Sequence, residues 1–167
     1  MIHRHHLRRL TRAALLLCPL LAATALAATT AADIIPASNL QKDGARAAST
    51  HAVMMLLFSL PGCAPCEEVQ RNYLAPLQRD PDYGSRLIVR KVGDLASAHT
   101  LVDFSGTPVS QRDLAARYHV RVAPTLVFVD AQGKSIADPL IGSGMAGFYG
   151  AYLNKSVGAA LHHTAPE

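Results

Sequence analysis

The most constraining feature of the chain is a continuously apolar run, Val53-Met54-Met55-Leu56-Leu57-Phe58-Ser59, that leads almost directly into Pro61-Gly62-Cys63-Ala64-Pro65-Cys66. A strand with one wet face alternates apolar and polar residues. A short run without alternation fits instead a strand covered on both faces, as in a mostly parallel sheet held between helices. It is expected to be the central strand of an α/β domain. Beyond it, Cys66, Val69, Tyr73 and Leu77 recur at spacings of three and four, so a helix opens at the cysteines and packs that face on the sheet. Pro76 should kink or end this helix, because it has no N–H to donate and its ring crowds the preceding turn. The two cysteines therefore sit at a strand-to-helix junction.

That placement suits one kind of chemistry. A thiolate attacks a disulfide, and a second thiol close enough to close a ring resolves the mixed disulfide that results. Cys63 falls at or just before the first helical turn, where unpaired N–H groups and the helix dipole favour a thiolate, and Cys66 lies a turn inward on the buried face. Cys63 is thus the expected nucleophile and Cys66 the resolving thiol. Pro65 fits the first turn, where a missing N–H costs nothing, and it restricts the loop between the sulfurs. A structural disulfide and half of a zinc site are the competing uses of the pair. A bridge across so short a loop stabilises little, and zinc requires a second ligand pair, such as another C-x-x-C or an H-x(3 to 5)-H, which the chain lacks. Redox chemistry is the favoured reading, with no metal site and no cofactor.

The N-terminus adds weight. Met1 to Arg12 carries Arg4, Arg8, Arg9 and Arg12 with no acid, and Ala13 to Ala27 is almost wholly apolar, ending in Ala25-Leu26-Ala27. This is the pattern of a secretory signal peptide over 1–27, cleaved after Ala27. Its apolar part is shorter than the ~20 residues that comfortably span a bilayer; an uncleaved anchor extending to Ile35 is the alternative. Arg8-Arg9 reads as ordinary n-region charge, and Cys18 lacks the small preceding residue of a lipidation site. Of sixteen Lys and Arg residues four lie in the leader, leaving twelve against twelve acids. The net charge of +4 therefore belongs to the targeting segment, and it supports neither nucleic-acid binding nor a polybasic membrane surface. Loss of Cys18 with the leader leaves Cys63 and Cys66 alone in an exported chain.

The rest of the chain reads as one domain. Residues 28–37 are expected to be a linker, 38–161 the domain and 162–167 a disordered tail. Ser38 to Ala48 places Leu40, Gly44, Ala47 and Ala48 on one helical face, Leu87 to Val92 is a second strand, and Asp94 to Pro108 a polar, irregular insertion. Ser110 and Asp113 form a capping-box pattern that opens a helix through Tyr118. Leu126 to Val129 is a third strand, followed by the turn Asp130-Ala131-Gln132-Gly133 and a fourth strand, Ser135 to Ile141, placed at the sheet edge by Pro139. A last helix carries Met145, Phe148, Tyr149, Tyr152 and Leu153 on one face. His51, His99 and His119 are scattered and read as surface or satisfied histidines, and Met54-Met55 as core rather than a copper site.

From Val53 to Leu161 the chain resembles the thioredoxin superfamily. Two motifs carry the resemblance: the apolar strand followed by Cys63-Ala64-Pro65-Cys66, and Tyr118-His119-Val120-Arg121-Val122-Ala123-Pro124-Thr125-Leu126-Val127-Phe128-Val129-Asp130 with Gly133-Lys134 after it. The resemblance implies a thioredoxin fold, with a central mixed sheet flanked by helices. It also implies that Pro124 is the family's cis-proline beside the dithiol, and that Ala123 and Pro124, with Gly62, Ala64 and Pro65 of the dithiol loop, receive a substrate peptide. From the residues alone Pro124 is only a strand-start proline. The Gly-Cys-x-x-Cys opening, Phe104-Ser105-Gly106 and the segment from Gly142 to Leu153 look like small periplasmic thioredoxin-like proteins, including those associated with bacterial sulfur oxidation. The chain departs from the family where Gly62 replaces the usual tryptophan and Leu57 the buried aspartate that assists proton transfer.

Function follows as a set of expectations. The protein is expected to be a periplasmic thiol-disulfide oxidoreductase that reduces the disulfide of a partner protein; oxidant, isomerase, copper carrier and redox-regulatory module are the alternatives. Glu67, one turn beyond Cys63, and the adjacent Glu68 should disfavour the Cys63 thiolate, or simply complement the helix N-terminus. An exported reductant needs a membrane electron donor, since cytoplasmic reductant pools cannot reach it. About 25 residues between cleavage site and first strand are too few for a separate dimerisation domain, so a monomer is expected.

Overall fold

The computed structural model describes residues 34–144 and 147–165. The expected leader with its cleavage site and Cys18, most of the 28–37 segment, Met145 and the last two residues of the expected tail lie outside the described residues.

The apolar run forms β1, Val53–Phe58, with every residue buried. It pairs in parallel with β2, Leu87–Val92, and antiparallel with β5, Thr125–Val129, which pairs antiparallel with β6, Ser135–Ile141. The sheet order β2-β1-β5-β6 makes β1 an interior strand of a mixed sheet. The expectation of mostly parallel pairing is corrected: only one of these ladders is parallel. Full burial of β1 comes from helices on both faces. Val53, Met55 and Leu57 face a cluster with Val69, Leu74, Tyr149, Leu153 and Val157. Met54, Leu56 and Phe58 face Leu40, Ala47, Leu114 and Ala115.

The helix after the cysteines does not end at Pro76. It runs as α2, Ala64–Val69, a π turn, Gln70–Leu74, and α3, Ala75–Arg79. In the π turn the N–H of Ala75 reaches back to the carbonyl of Gln70. The wider turn before Pro76 absorbs the lost N–H and the ring.

Helix α1, Leu40–Thr50, buries Leu40, Gly44 and Ala47, whereas Ala48, expected on that face, is exposed. A Cβ on Gly44 would lie 2.3 Å from the carbonyl oxygen of Ala131, so glycine here permits close approach to the β5–β6 turn. The charged pair Asp43 and Arg90, 14% and 10% exposed at their side chains, fastens α1 to β2.

Three further expectations are corrected. The segment read as an irregular insertion contains a hairpin, β3 (Thr100–Val102) and β4 (Pro108–Ser110), which buries Leu101 and Val109. Residues preceding α1 are not mere linker: Ile34 is 1% exposed, and Ala37 N–H and Ile35 C=O bond the backbone of Lys91 along the outer edge of β2. The last helix, α5, Tyr149–His163, extends two residues into the expected tail and buries Tyr149, Leu153, Val157, Ala160 and Leu161, while Phe148 and Tyr152 are exposed. Helix α4, Gln111–Arg117, begins where its capping residues place it, with the Ser110 hydroxyl accepting from Asp113 N–H and donating to the Asp113 carboxylate. Among the described residues no helix is long and apolar enough to cross a membrane.

Candidate active site

Strand β1 leaves the sheet at Phe58, and Ser59, still buried, bonds β2 through the carbonyl of Val92. The exposed turn Leu60-Pro61-Gly62 then reverses the chain. Gly62 has φ +67°, a left-handed conformation that L side chains rarely adopt, with open space where a Cβ would be. Glycine is required there for the backbone rather than for room.

Cys63 is the N-cap of α2. Its sulfur accepts the N–H of Cys66 at 3.2 Å, and its carbonyl accepts the N–H of Glu67. Cys63 is partly exposed and Cys66 is fully buried. The two are joined in a disulfide with the sulfurs 2.01 Å apart and the Cα atoms 5.2 Å apart. One sulfur thus lies at the surface on a helix N-terminus and the other beneath it. Pro65 occupies the first turn of α2, and Ala64 and Pro65 are exposed beside the bridge.

Pro124 lies in the segment entering β5, next to this junction in the sheet. Phe58 pairs with Thr125, so one step further along the two strands Ser59 and Pro124 come opposite. The Ala123–Pro124 peptide bond is cis. Pro124 is buried, its carbonyl accepting the N–H of Gly142 at 2.7 Å, while Ala123 is partly exposed. Among the described residues, neither the N–H nor the carbonyl of Ala123 has a hydrogen-bond partner. The two motifs, about sixty residues apart in sequence, thus meet at one end of the sheet.

Glu67 and Glu68 are exposed. The Glu67 carboxylate bonds Arg71 at 3.2 Å, a pair about 60% exposed on both sides, so part of its charge is answered one turn further along rather than directed at Cys63. Leu57, at the position where the resemblance would have a buried aspartate, is fully buried among apolar side chains. Gly142, at φ +75° and named from the sequence only as the start of a segment that carries the family resemblance, and Leu95, which has no signal in the sequence and whose N–H bonds the Ser59 carbonyl at 3.0 Å, also shape the site. Among the described residues no group of three His, Cys, Asp or Glu side chains is placed to hold a metal ion.

Residues 40–144 match the family described as thioredoxin-like domain. Among solved structures, a poplar thioredoxin h mutant is similar at 19% identity over 75% of this chain and 78% of its own, with a TM-score of 0.50. Mitochondrial thioredoxin 3 from Saccharomyces cerevisiae is similar at 21% identity over 75% of this chain and 93% of its own, with a TM-score of 0.48. The poplar match shows a shared fold. No curated protein matches the chain in sequence.

Proposed function

Since the chain belongs to the thioredoxin-like domain family, we propose that it is a periplasmic reductant that opens a disulfide in a partner protein through Cys63 and Cys66. One observation carries the reading: a partly exposed sulfur capping a helix, bridged to a buried sulfur one turn inward. In the reduced protein the Cys63 thiolate attacks one sulfur of the partner's disulfide. That S–S bond breaks, the partner's other sulfur leaves as a thiolate and takes a proton, and a mixed disulfide forms. Cys66 gives up its proton and attacks the Cys63 sulfur. The second partner thiolate is released, and two electrons have passed from the dithiol to the partner. The protein is left with the Cys63–Cys66 bridge.

Ala123 supports this reading, because its free N–H and carbonyl are suited to an extended partner segment laid beside Pro124, with Gly62, Ala64 and Pro65 forming the opposite wall. Regeneration needs an external two-electron donor. In an exported protein that donor is a membrane carrier, and the N-terminal leader pattern is what supports export. We place the protein as a monomer in this exchange. Proline before Cys66 favours a reducing potential.

Insulin reduction by dithiothreitol tests the proposal. Wild type should accelerate precipitation of the insulin chains, and Cys63→Ser should match the reaction without protein. Equal rates for wild type and Cys63→Ser would remove the enzymatic reading.

A further inference from the structure

We propose that the partner presents an acidic segment next to its disulfide, received by a basic groove beside the dithiol; this rests on the exchange reaction above. Two depressions lie on either side of the 119–121 segment and share His119, Val120 and Arg121. One, of about 210 Å3, is completed by Val122, Thr125 and Ile141 among others, and the other by Leu95, Arg112 and Ala116. No acidic side chain lines either. Arg112, His119 and Arg121 are all exposed.

The backbone ties both depressions to the reacting centre. On one side Leu95 bonds Ser59, four residues before Cys63. On the other, Val122 leads into Ala123 and the cis bond to Pro124. In the proposed complex, the partner segment laid beside Ala123 continues along the adjoining Arg121 and His119. Asp113 and Asp94 do not neutralise the depression that Arg112 lines. Asp113 lies 3.7 Å from Arg112 with both side chains more than 60% exposed, a screened pair. Asp94 turns its carboxylate to the N–H of Ala96 in its own loop. Val122 and Ile141, 50% and 60% exposed, add apolar surface to the depression that Arg121 lines, which fits a peptide carrying both acidic and aliphatic residues better than a bare phosphate chain.

The test uses two peptides identical except for charge, each with an internal disulfide flanked by three Glu or by three Lys. The reduced protein passes two electrons to the peptide disulfide and is itself oxidised. At low salt the acidic peptide should be reduced roughly tenfold faster, and 0.5 M NaCl should collapse the ratio. Arg112→Glu combined with Arg121→Glu should abolish or invert it, while Arg46→Glu combined with Lys155→Glu, the same charge change outside the groove, should leave it. The ratio is the readout, so a change in overall rate does not confuse it. Rates within twofold for the two peptides in wild type, or equal loss of preference in both double variants, would overturn the proposal. The same peptides with serine in place of cysteine test the groove independently of the dithiol: wild type should bind the acidic one more tightly. Equal binding of both, or tighter binding of a single-stranded oligonucleotide, would overturn it too. If neither disulfide peptide is reduced while the serine peptides still discriminate, the exchange reading fails and the groove stands.

Discussion

The sulfur of Cys63 accepts the backbone N–H of Cys66 at 3.2 Å, so the residue that caps the helix is held by the residue that closes the bridge. Once the bridge is reduced, the same N–H can meet a thiolate, and hydrogen bonds to an ionised acceptor are stronger than those to a neutral one. Reduction thus leaves the outer sulfur at a site that favours its charge, with the inner sulfur shielded.

The first prediction follows from that asymmetry. In the proposed exchange, Cys66→Ser leaves the partly exposed Cys63 without its resolving thiol and should accumulate a mixed disulfide with the partner, whereas Cys63→Ser should accumulate none. In the reduced wild type, iodoacetamide should modify Cys63 at least ~10-fold faster than Cys66, which is 0% exposed. Mass spectrometry of the alkylated protein and of the trapped adduct reads both outcomes; a trap formed by Cys63→Ser would reverse the assignment.

The second concerns Glu67. Its carboxylate bonds Arg71, and both side chains are largely exposed, so solvent and its partner screen it from Cys63. Glu67→Gln should move the reduction potential by less than about 15 mV, equivalent to roughly a threefold change in the exchange constant. The wild-type potential should lie nearer about -270 mV than about -120 mV. Equilibration with a glutathione series measures both values, and a wild-type potential above about -180 mV would show an isomerase or oxidant.

How much of this could be read from residues alone depends on how local the cause is. β1 was legible because burial on both faces removes alternation, and the cap at Ser110 because its hydroxyl needs only its own first turn. The β3–β4 hairpin was not. Each strand offers one buried apolar side chain, Leu101 or Val109, and three residues are too few to show a period. The π turn was invisible because a proline is read as a break, while the structure widens the preceding turn instead.

In the last helix, the face read from apolar character includes Tyr149 and Leu153, which are buried, and Phe148 and Tyr152, which are exposed; packing continues the stripe through Val157 and Ala160 instead. The C-x-x-C pair announced itself, and so, through its family resemblance, did Ala123-Pro124. The groove did not: Arg112 belongs to α4 and Arg121 to the segment after it, and neither has a motif of its own.

A third prediction concerns Tyr149. Its ring packs on Tyr73 at 4.7 Å between centroids, and its buried hydroxyl has no hydrogen-bond partner among the described residues. Burial, then the neighbouring Tyr73, push its pKa up to about 12. A buried donor left unmade costs on the order of 1–3 kcal/mol. Tyr149→Phe keeps the ring and removes that cost, so urea unfolding should show stability unchanged or raised by about 1 kcal/mol. A loss above 1 kcal/mol would mean that the hydroxyl is satisfied.

The last prediction concerns Asp103, 4% exposed in the turn of the β3–β4 hairpin. Its carboxylate accepts the Ser105 hydroxyl at 2.7 Å, the N–H groups of Ser105 and Thr107, and Arg117 at 3.0 Å. The Ser105 bond does most to favour the charged form. Burial opposes it, and Arg117 and the two backbone donors assist, so the pKa falls from an ordinary 3.8 to about 2. The unfolded chain therefore takes up this proton at a higher pH than the native protein does. The stabilisation is complete above about pH 5 and disappears as pH falls through about 2. A shift of this size corresponds to about 2 kcal/mol. Asp103→Asn should lower stability at pH 7 by that order and remove the same amount from the loss between pH 5 and pH 2. Urea unfolding across that range checks both effects. A mutant whose stability falls with pH as steeply as the wild type would show that Asp103 titrates normally.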